Sequence, residues 1–201
     1  MTARIERIVT SGTFSLDGQD FAVDNNVWLV GDDREVIVID AAHDADAILA
    51  AVGDRSLSAI VSTHGHNDHV NAAREVSVRS GAPVLLHPAD QVLWQMIYPD
   101  RAPDADLGHE EVIEIAATPL RVLPTPGHSP GSVCLYAPAL GTVFTGDTLF
   151  RGGPGATGRS YSDRPTILKS ISEILLALPA DTVVHTGHGD DTTIGAEAPV
   201  T

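Results

Sequence analysis

The run Thr63-His64-Gly65-His66-Asn67-Asp68-His69 sets three imidazoles and a carboxylate within six consecutive positions of a chain that has nine histidines. Imidazole nitrogens and carboxylate oxygens are ordinary ligands for zinc and other first-row metals. Packed together without a cation they would lose hydration and gain no partner, so the run reads as part of a metal site. Three further segments each add one donor. His128 stands in the stiff turn Pro124-Thr125-Pro126-Gly127-His128-Ser129-Pro130-Gly131, Asp147 ends the apolar stretch Val143-Phe144-Thr145-Gly146, and His188 lies between two glycines. Alone, Asp147 reads as turn chemistry, because Gly-Asp is common in turns. The repetition of such donors at strand ends is the informative pattern.

The elements that must position these donors follow from periodicity. Leu57 to Ser62 is apolar and branched and reads as a strand, and Val70 to Ser80 reads as a helix. The histidine run therefore sits at a strand end, where a sheet holds the backbone still. Val27 to Gly31 and Val36 to Asp40 form a hairpin around Asp32-Asp33-Arg34, and Asp44 to Val52 has the spacing of a short amphipathic helix. A strand at Val84 to His87 and a helix at Pro88 to Met96 come next. The Pro/Asp-rich stretch Tyr98 to Leu107 reads as a mobile loop placed to lid the site. Strands gather between 112 and 146, and a helix opens on Pro165 and runs to Leu178. In the strand Thr182 to Thr186, His185 points away from the side used by His188, which makes His188 the preferred ligand.

In order, His-x-His-x-Asp-His, a lone Pro-Gly-His turn, a Gly-Asp strand end and a late Gly-His resemble the metallo-β-lactamase superfamily. Within it the chain is similar to short glyoxalase II-like hydrolases. The similarity lies in Thr-His-x-His-x-Asp-His-x-x-Asn ending at Asn71, in Thr-Pro-Gly-His, and in Phe-Thr-Gly-Asp-Thr-Leu-Phe. The resemblance implies an α/β fold, an αββα four-layer sandwich, with 1–201 as one domain. It implies two zinc ions, with iron or manganese open at either position. One would be held by His64, His66 and His128, the other by Asp68, His69 and His188, with Asp147 bridging. A hydroxide held between the two ions would attack an acyl group, most simply a thioester of a small thiol, since a bound cation lowers the pKa of water from about 15.7 towards about 7. Asp68 is also counted as a catalytic proton shuttle. The alternatives are a persulfide dioxygenase using one iron, a lactonase or β-lactamase acting on a cyclic substrate, and a metal-binding protein without catalysis.

Composition narrows the classes. A net charge of −15 works against nucleic-acid partners, which need a basic track for phosphates. Asp32-Asp33, Asp104 to Asp106 and Glu110-Glu111 read as solvated faces. No apolar run is long enough to cross a bilayer, and Met1 to Thr10 has no signal pattern, so no membrane partner and a cytoplasmic location are expected. The single cysteine, Cys134, excludes an internal disulfide and reads as core filling.

Substrate choice is sought where the chain departs from its relatives. Full-length glyoxalase II enzymes carry a basic C-terminal region for the glutathione carboxylates, whereas the thirteen residues after His188 contain no Lys or Arg. A thiol other than glutathione is therefore expected. The glycine-rich segment Arg151 to Tyr161 is read as part of the pocket, with Arg151, Arg159 and Tyr161 as substrate contacts. His43, after a strand end, is a candidate for supporting a ligand or touching substrate. His87 and His109 are assigned to structure or surface. Asn71 and Thr148 are hydrogen bonders to ligands or to local backbone.

Overall fold

A computed structural model describes residues 3–109 and 111–198; Glu110, within one of the expected charged faces, lies outside them. Two six-stranded sheets carry the fold. The first is built from β1 (Arg4–Leu16), β2 (Gln19–Gly31), β3 (Glu35–Ile39), β4 (Ser56–Val61), β5 (Val84–Leu86) and β6 (Ala105–Asp106), side by side in chain order. β1, β2 and β3 pair antiparallel, and β3 to β6 pair parallel. The parallel crossovers carry α1 (Ala45–Val52), α2 (Asn67–Val70), α3 (Ala73–Ser80) and α4 (Gln91–Ile97), as parallel connections require. The second sheet uses β7 (Val112–Ile115), β8 (Thr118–Pro124), β9 (Val133–Ala137), β10 (Thr142–Gly146), β13 (Val183–Thr186) and β14 (Thr192–Thr193). Between β10 and β13 come the small ribbon of β11 (Leu149–Phe150) and β12 (Gly153–Pro154), then α5 (Arg164–Ser170), which runs into a π turn at Ile171–Leu175.

Three cores show how the layers stack. Trp28, Val30, Ile37, Ile39 and Val61 of the first sheet meet Leu120, Val122, Leu135 and Phe144 of the second. The opposite face of the first sheet, with Leu29, Val38 and Ile60, packs on Ile48, Val76 and Trp94 of its helices. Val143 and Val184 of the second sheet pack on Ile167, Ile171 and Leu175. The order is helices, sheet, sheet, helices, as expected. A strand between two cores must be apolar on both faces, which is why Val27 to Val30 and Val36 to Ile39 read as unbroken apolar runs.

Local chemistry sets several boundaries. Asp44 caps α1 by accepting the Ala47 N–H at 2.9 Å, and Gly53 at φ 63° stops it. Asp44→Ala is expected to lower stability by about 1 kcal/mol in urea unfolding. The expected helix over Val70 to Ser80 divides instead into α2 and α3 around Asn71 and Ala72, so Asp68 and His69 lie within a helical turn.

Other expectations are corrected. β1 and the first half of β2 form a hairpin the periodic reading passed over, closed by Asp17 at φ 53° and Gly18 at φ 70°. An Asp-Gly pair between alternating apolar residues is the signal for that two-residue turn. Asp32 is not solvated: it is buried and accepts the Arg34 and Glu35 N–H groups, which lower its pKa and shape the β2–β3 turn. Tyr98 to Leu107 does not lid the site. Asp104 accepts the Val84 N–H at 2.9 Å, Trp94 donates to the Arg101 carbonyl, Ala105 and Asp106 form an edge strand, and Leu107 is buried between the sheets.

Candidate metal centre

Every donor the sequence singles out follows the C-terminal end of a strand: His64 and His66 after β4, His128 after β8, Asp147 after β10 and His188 after β13. α2 turns Asp68 and His69 inward from the same connection as His64 and His66. One donor atom from each of His64, His66 and His128 fits within 4.8 Å of the others, and the same holds for Asp68, His69 and His188. Asp147 stands between the groups. Its Oδ1 is 3.3 Å from His69 Nε2, and its Oδ2 is 3.6 Å from His128 Nε2 and 3.5 Å from His188 Nε2. All seven expected ligands thus converge on one space.

The chemistry of these donors fits a cation. Among the described residues, seven buried side-chain atoms lack a hydrogen-bond partner, and four of them are here: His64 Nε2, His66 Nε2, Asp68 Oδ1 and Asp147 Oδ1. Each such atom ordinarily costs about 1–3 kcal/mol, so four of them on these seven residues, with His66 Nδ1 and His128 Nε2 facing each other at 3.0 Å, fit a donor set that a cation would satisfy.

Electrostatics distinguish the two groups. Burial pushes the His66 imidazole down to about 3, reinforced by His128, and holds His64 well below its usual value. Both rings stay neutral and keep lone pairs for a cation. Burial also opposes charge on His69 and His188, but Asp147 and the adjoining carboxylates overcome it. His69 is raised well above its usual value and His188 to about 10. Burial would raise Asp68, yet His69 and His188 hold it at about 2; Asp147 is likewise held well below the carboxylate range. A cation held by the second group would have to displace protons from its imidazoles.

Outer partners orient the rings. His69 Nδ1 meets Asp40 Oδ2 at 3.0 Å, His128 Nδ1 meets the Ala156 carbonyl at 2.9 Å, and His188 Nδ1 meets the Asp24 carbonyl at 2.7 Å. Asp40 is fixed in turn by the N–H and hydroxyl of Thr63, each at 2.7 Å. Gly146, at φ 49°, leaves no room for a Cβ against Thr63. A second buried carboxylate, Asp90, accepts from the Gly65 N–H at 2.8 Å, the Ser129 hydroxyl at 2.6 Å and the Gly131 N–H at 2.5 Å. It ties the His64–His66 loop to the His128 loop. Sequence reasoning missed Asp40, Asp90 and Asn25. The end of the apolar run Val36 to Ile39 is a signal for Asp40; nothing in Pro88-Ala89-Asp90 marks the second.

A cavity of about 260 Å³ opens over the donors. Phe14, Leu16, Phe21 and Val23 of the β1–β2 hairpin form one wall, and Ala156, Arg159, Ser160 and Ser162 the other. Of the expected substrate contacts only Arg159 is in place, its guanidinium 4.5 Å from the Phe21 ring and 5.8 Å from Phe14. Arg151 points elsewhere and pairs with Asp190 at 3.1 Å on the surface, and Tyr161, 43% exposed, does not line the cavity. His43 also lies outside it and binds Asn25 and Asn71. His185 stacks on Trp28 at 4.3 Å and pairs with Asp191, which removes it from the donors. His87 caps a short turn, and His109 is exposed. Thr148 meets Thr125 at 3.2 Å rather than a donor. Cys134 is core filling, its thiol pushed by burial up to about 12.

The chain is similar to known proteins. A family profile described as the metallo-beta-lactamase superfamily matches residues 21–188. Hydroxyacylglutathione hydrolase GloC of Haemophilus influenzae is 31% identical, the match covering 88% of this chain and 91% of the relative. The BLEG-1 B3 metallo-beta-lactamase structure aligns with a TM-score of 0.81 at 29% identity, over 94% of this chain and 97% of that one. The structure of TTHA1623 in a di-iron-bound form aligns with a TM-score of 0.77 at 31% identity, over 96% and 98%. With strand-end donors, a four-layer fold and a profile match along most of its length, the chain belongs to the metallo-β-lactamase superfamily.

Proposed function

We propose that this chain is a binuclear metal-dependent hydrolase of thioesters carried on a small thiol. The reading rests on the family and on one observation: among the described residues, the cavity over the donors is lined by no lysine or tyrosine. A leaving amine, as from a lactam, must take up a proton, which here only a residue of the donor set such as Asp68 could pass, whereas a thiolate leaves without one. His64, His66 and His128 would hold one divalent cation and Asp68, His69 and His188 the other, with Asp147 between them. Bound there, the two cations would supply an acidified water as nucleophile and a Lewis acid for the acyl oxygen. Zinc and iron both suit this donor set, and the relative solved in a di-iron-bound form supports iron.

The chain's own residues do the rest. The apolar hairpin wall excludes water and receives the acyl or thiol chain. Asp68 keeps Oδ2 within 3.3 Å of His188 Nε2, placing it to pass a proton at the edge of the donor set. Among the described residues Arg159 offers the cavity's one guanidinium, held over Phe21 and hydrogen-bonded to Gln19 Oε1 at 3.1 Å. It suits an acidic group on the thiol carrier.

The deciding experiment assays acyl-thioesters, lactones, β-lactams and persulfides on protein of measured metal content. Thioesters should be the best substrates by kcat/KM. Oxygen uptake with a persulfide, or lactones preferred to thioesters, would overturn the assignment. Arg159→Ala should raise KM about tenfold for a thioester of an acidic thiol and leave a neutral thioester nearly unchanged, a loss of about 1.4 kcal/mol of binding. Equal KM changes for both would remove Arg159 from carrier recognition.

A further inference from the structure

His43, Asn25 and Asn71 form a chain of hydrogen bonds that ends on Asp68 and that the reaction has not used. His43 adopts φ 60°, a backbone open to glycine and costly for other residues. Its ring lies where a Cβ on Gly12 of β1 would overlap it, so β1 gives up a side chain to admit it. Strain at one position and a missing side chain at another both serve the placement of one imidazole.

Its bonds have a single polarity. The His43 backbone N–H donates to Asn71 Oδ1 at 2.6 Å, which fixes that amide. Asn71 Nδ2 must then donate to His43 Nδ1, 2.9 Å away. With Nδ1 accepting, the proton of the neutral ring is on Nε2, which donates to Asn25 Oδ1 at 2.9 Å. Burial lowers the His43 pKa and favours that neutral ring. Asn25, fully buried, turns its Nδ2 to Asp68 Oδ2 at 3.0 Å, with His69 Nε2 3.3 Å away. Asp68 Oδ1 is left buried and without a partner. A backbone amide thus sets the direction of every later bond.

We propose that His43 and Asn25 are positioning residues: the Asn25 amide on Asp68 Oδ2, itself set by His43, fixes how that carboxylate is turned toward His69 and His188, whose Nε2 atoms lie 3.5 and 3.3 Å from the same oxygen, and toward the cation the three would share. The proposal rests on the metal reading above. The pair acts on one of two ions and sets how tightly that ion is held; partners of metal ligands commonly contribute about 10- to 100-fold in affinity. His43 touches no reacting atom, since it does not line the cavity.

Cobalt(II) titration, followed by its visible bands, tests this on the full chain. The wild type should bind two ions, and His188→Ala identifies the band of the second. In His43→Gly that second ion should bind at least tenfold more weakly with the first unchanged, while Tm stays level or rises because glycine relieves the left-handed backbone. His43→Gln, whose amide can donate to Asn25, should recover part of the affinity. Nitrogen-15 NMR should show His43 protonated on Nε2. Unchanged cobalt affinity in His43→Gly, equal weakening of both ions with a fallen Tm, or a proton on Nδ1 would each overturn the relay. A wild type that binds fewer than two ions would overturn the two-ion reading first, and the relay with it.

Discussion

Asp147→Asn should lower turnover by at least about a hundredfold and reduce the metal retained per chain. The amide keeps the shape of the side chain but removes the negative charge that meets His69 at 3.3 Å and His188 at 3.5 Å. Partners that merely orient metal ligands already contribute about 10- to 100-fold, and Asp147 is placed to touch both donor groups at once. Metal analysis and steady-state kinetics on the same preparation check the result. Metal content and activity should fall together, and chelation of the wild type should reproduce the loss. Full activity with both ions retained would remove the bridging role. A stable, inactive protein with both ions in place would instead make Asp147 a residue of the chemical step alone.

Asp90→Ala should have the largest effect on stability. Among the described residues its carboxylate is the sole acceptor for the Gly65 and Gly131 N–H groups, and it shares the Ser129 hydroxyl with Ser132. Removing it strands the two buried N–H donors at about 1–3 kcal/mol each, so a loss of about 2–6 kcal/mol is expected. That is a large part of the about 5–15 kcal/mol typical of a folded domain. Urea unfolding measures it directly. Because the same carboxylate joins the loops of His66 and His128, cobalt bound to that trio should weaken in whatever fraction remains folded. A loss below about 1 kcal/mol would mean that water satisfies these donors and that Asp90 does not fasten the loops. Asp90→Asn should fall between, since one amide oxygen still accepts while its NH2 faces other donors.

How far the site was legible depends on the range of the interaction. His64, His66, Asp68 and His69 are sequence neighbours of ligating type, and their density needed no fold to be noticed. His128 and His188 were marked by the stiff or glycine-flanked turns around them. Arg151 and Arg159 looked alike as cations in one glycine-rich segment, yet one pairs with Asp190 on the surface and the other lies over Phe21 in the cavity. Seven residues separate them, and only the path of that segment decides which faces inward. The β1–β2 hairpin was passed over because its alternating half-exposed strands are weaker signals than the unbroken apolar runs of the core. It nevertheless supplies the apolar wall of the cavity.

By itself the sequence determined the donor types, their attachment to strand ends and the buried strands that carry them, because each is a matter of residue chemistry and short-range periodicity. Tertiary structure decided which donors come within reach of one another, which carboxylates hold the loops, and that His43 reaches Asp68 through Asn25. These depend on contacts between segments far apart in the chain: Asp90 with Gly131, Asp147 with His69, Asn25 with Asp68. No local pattern encodes such meetings. They follow from two sheets packing face to face and bringing the ends of their strands to one edge.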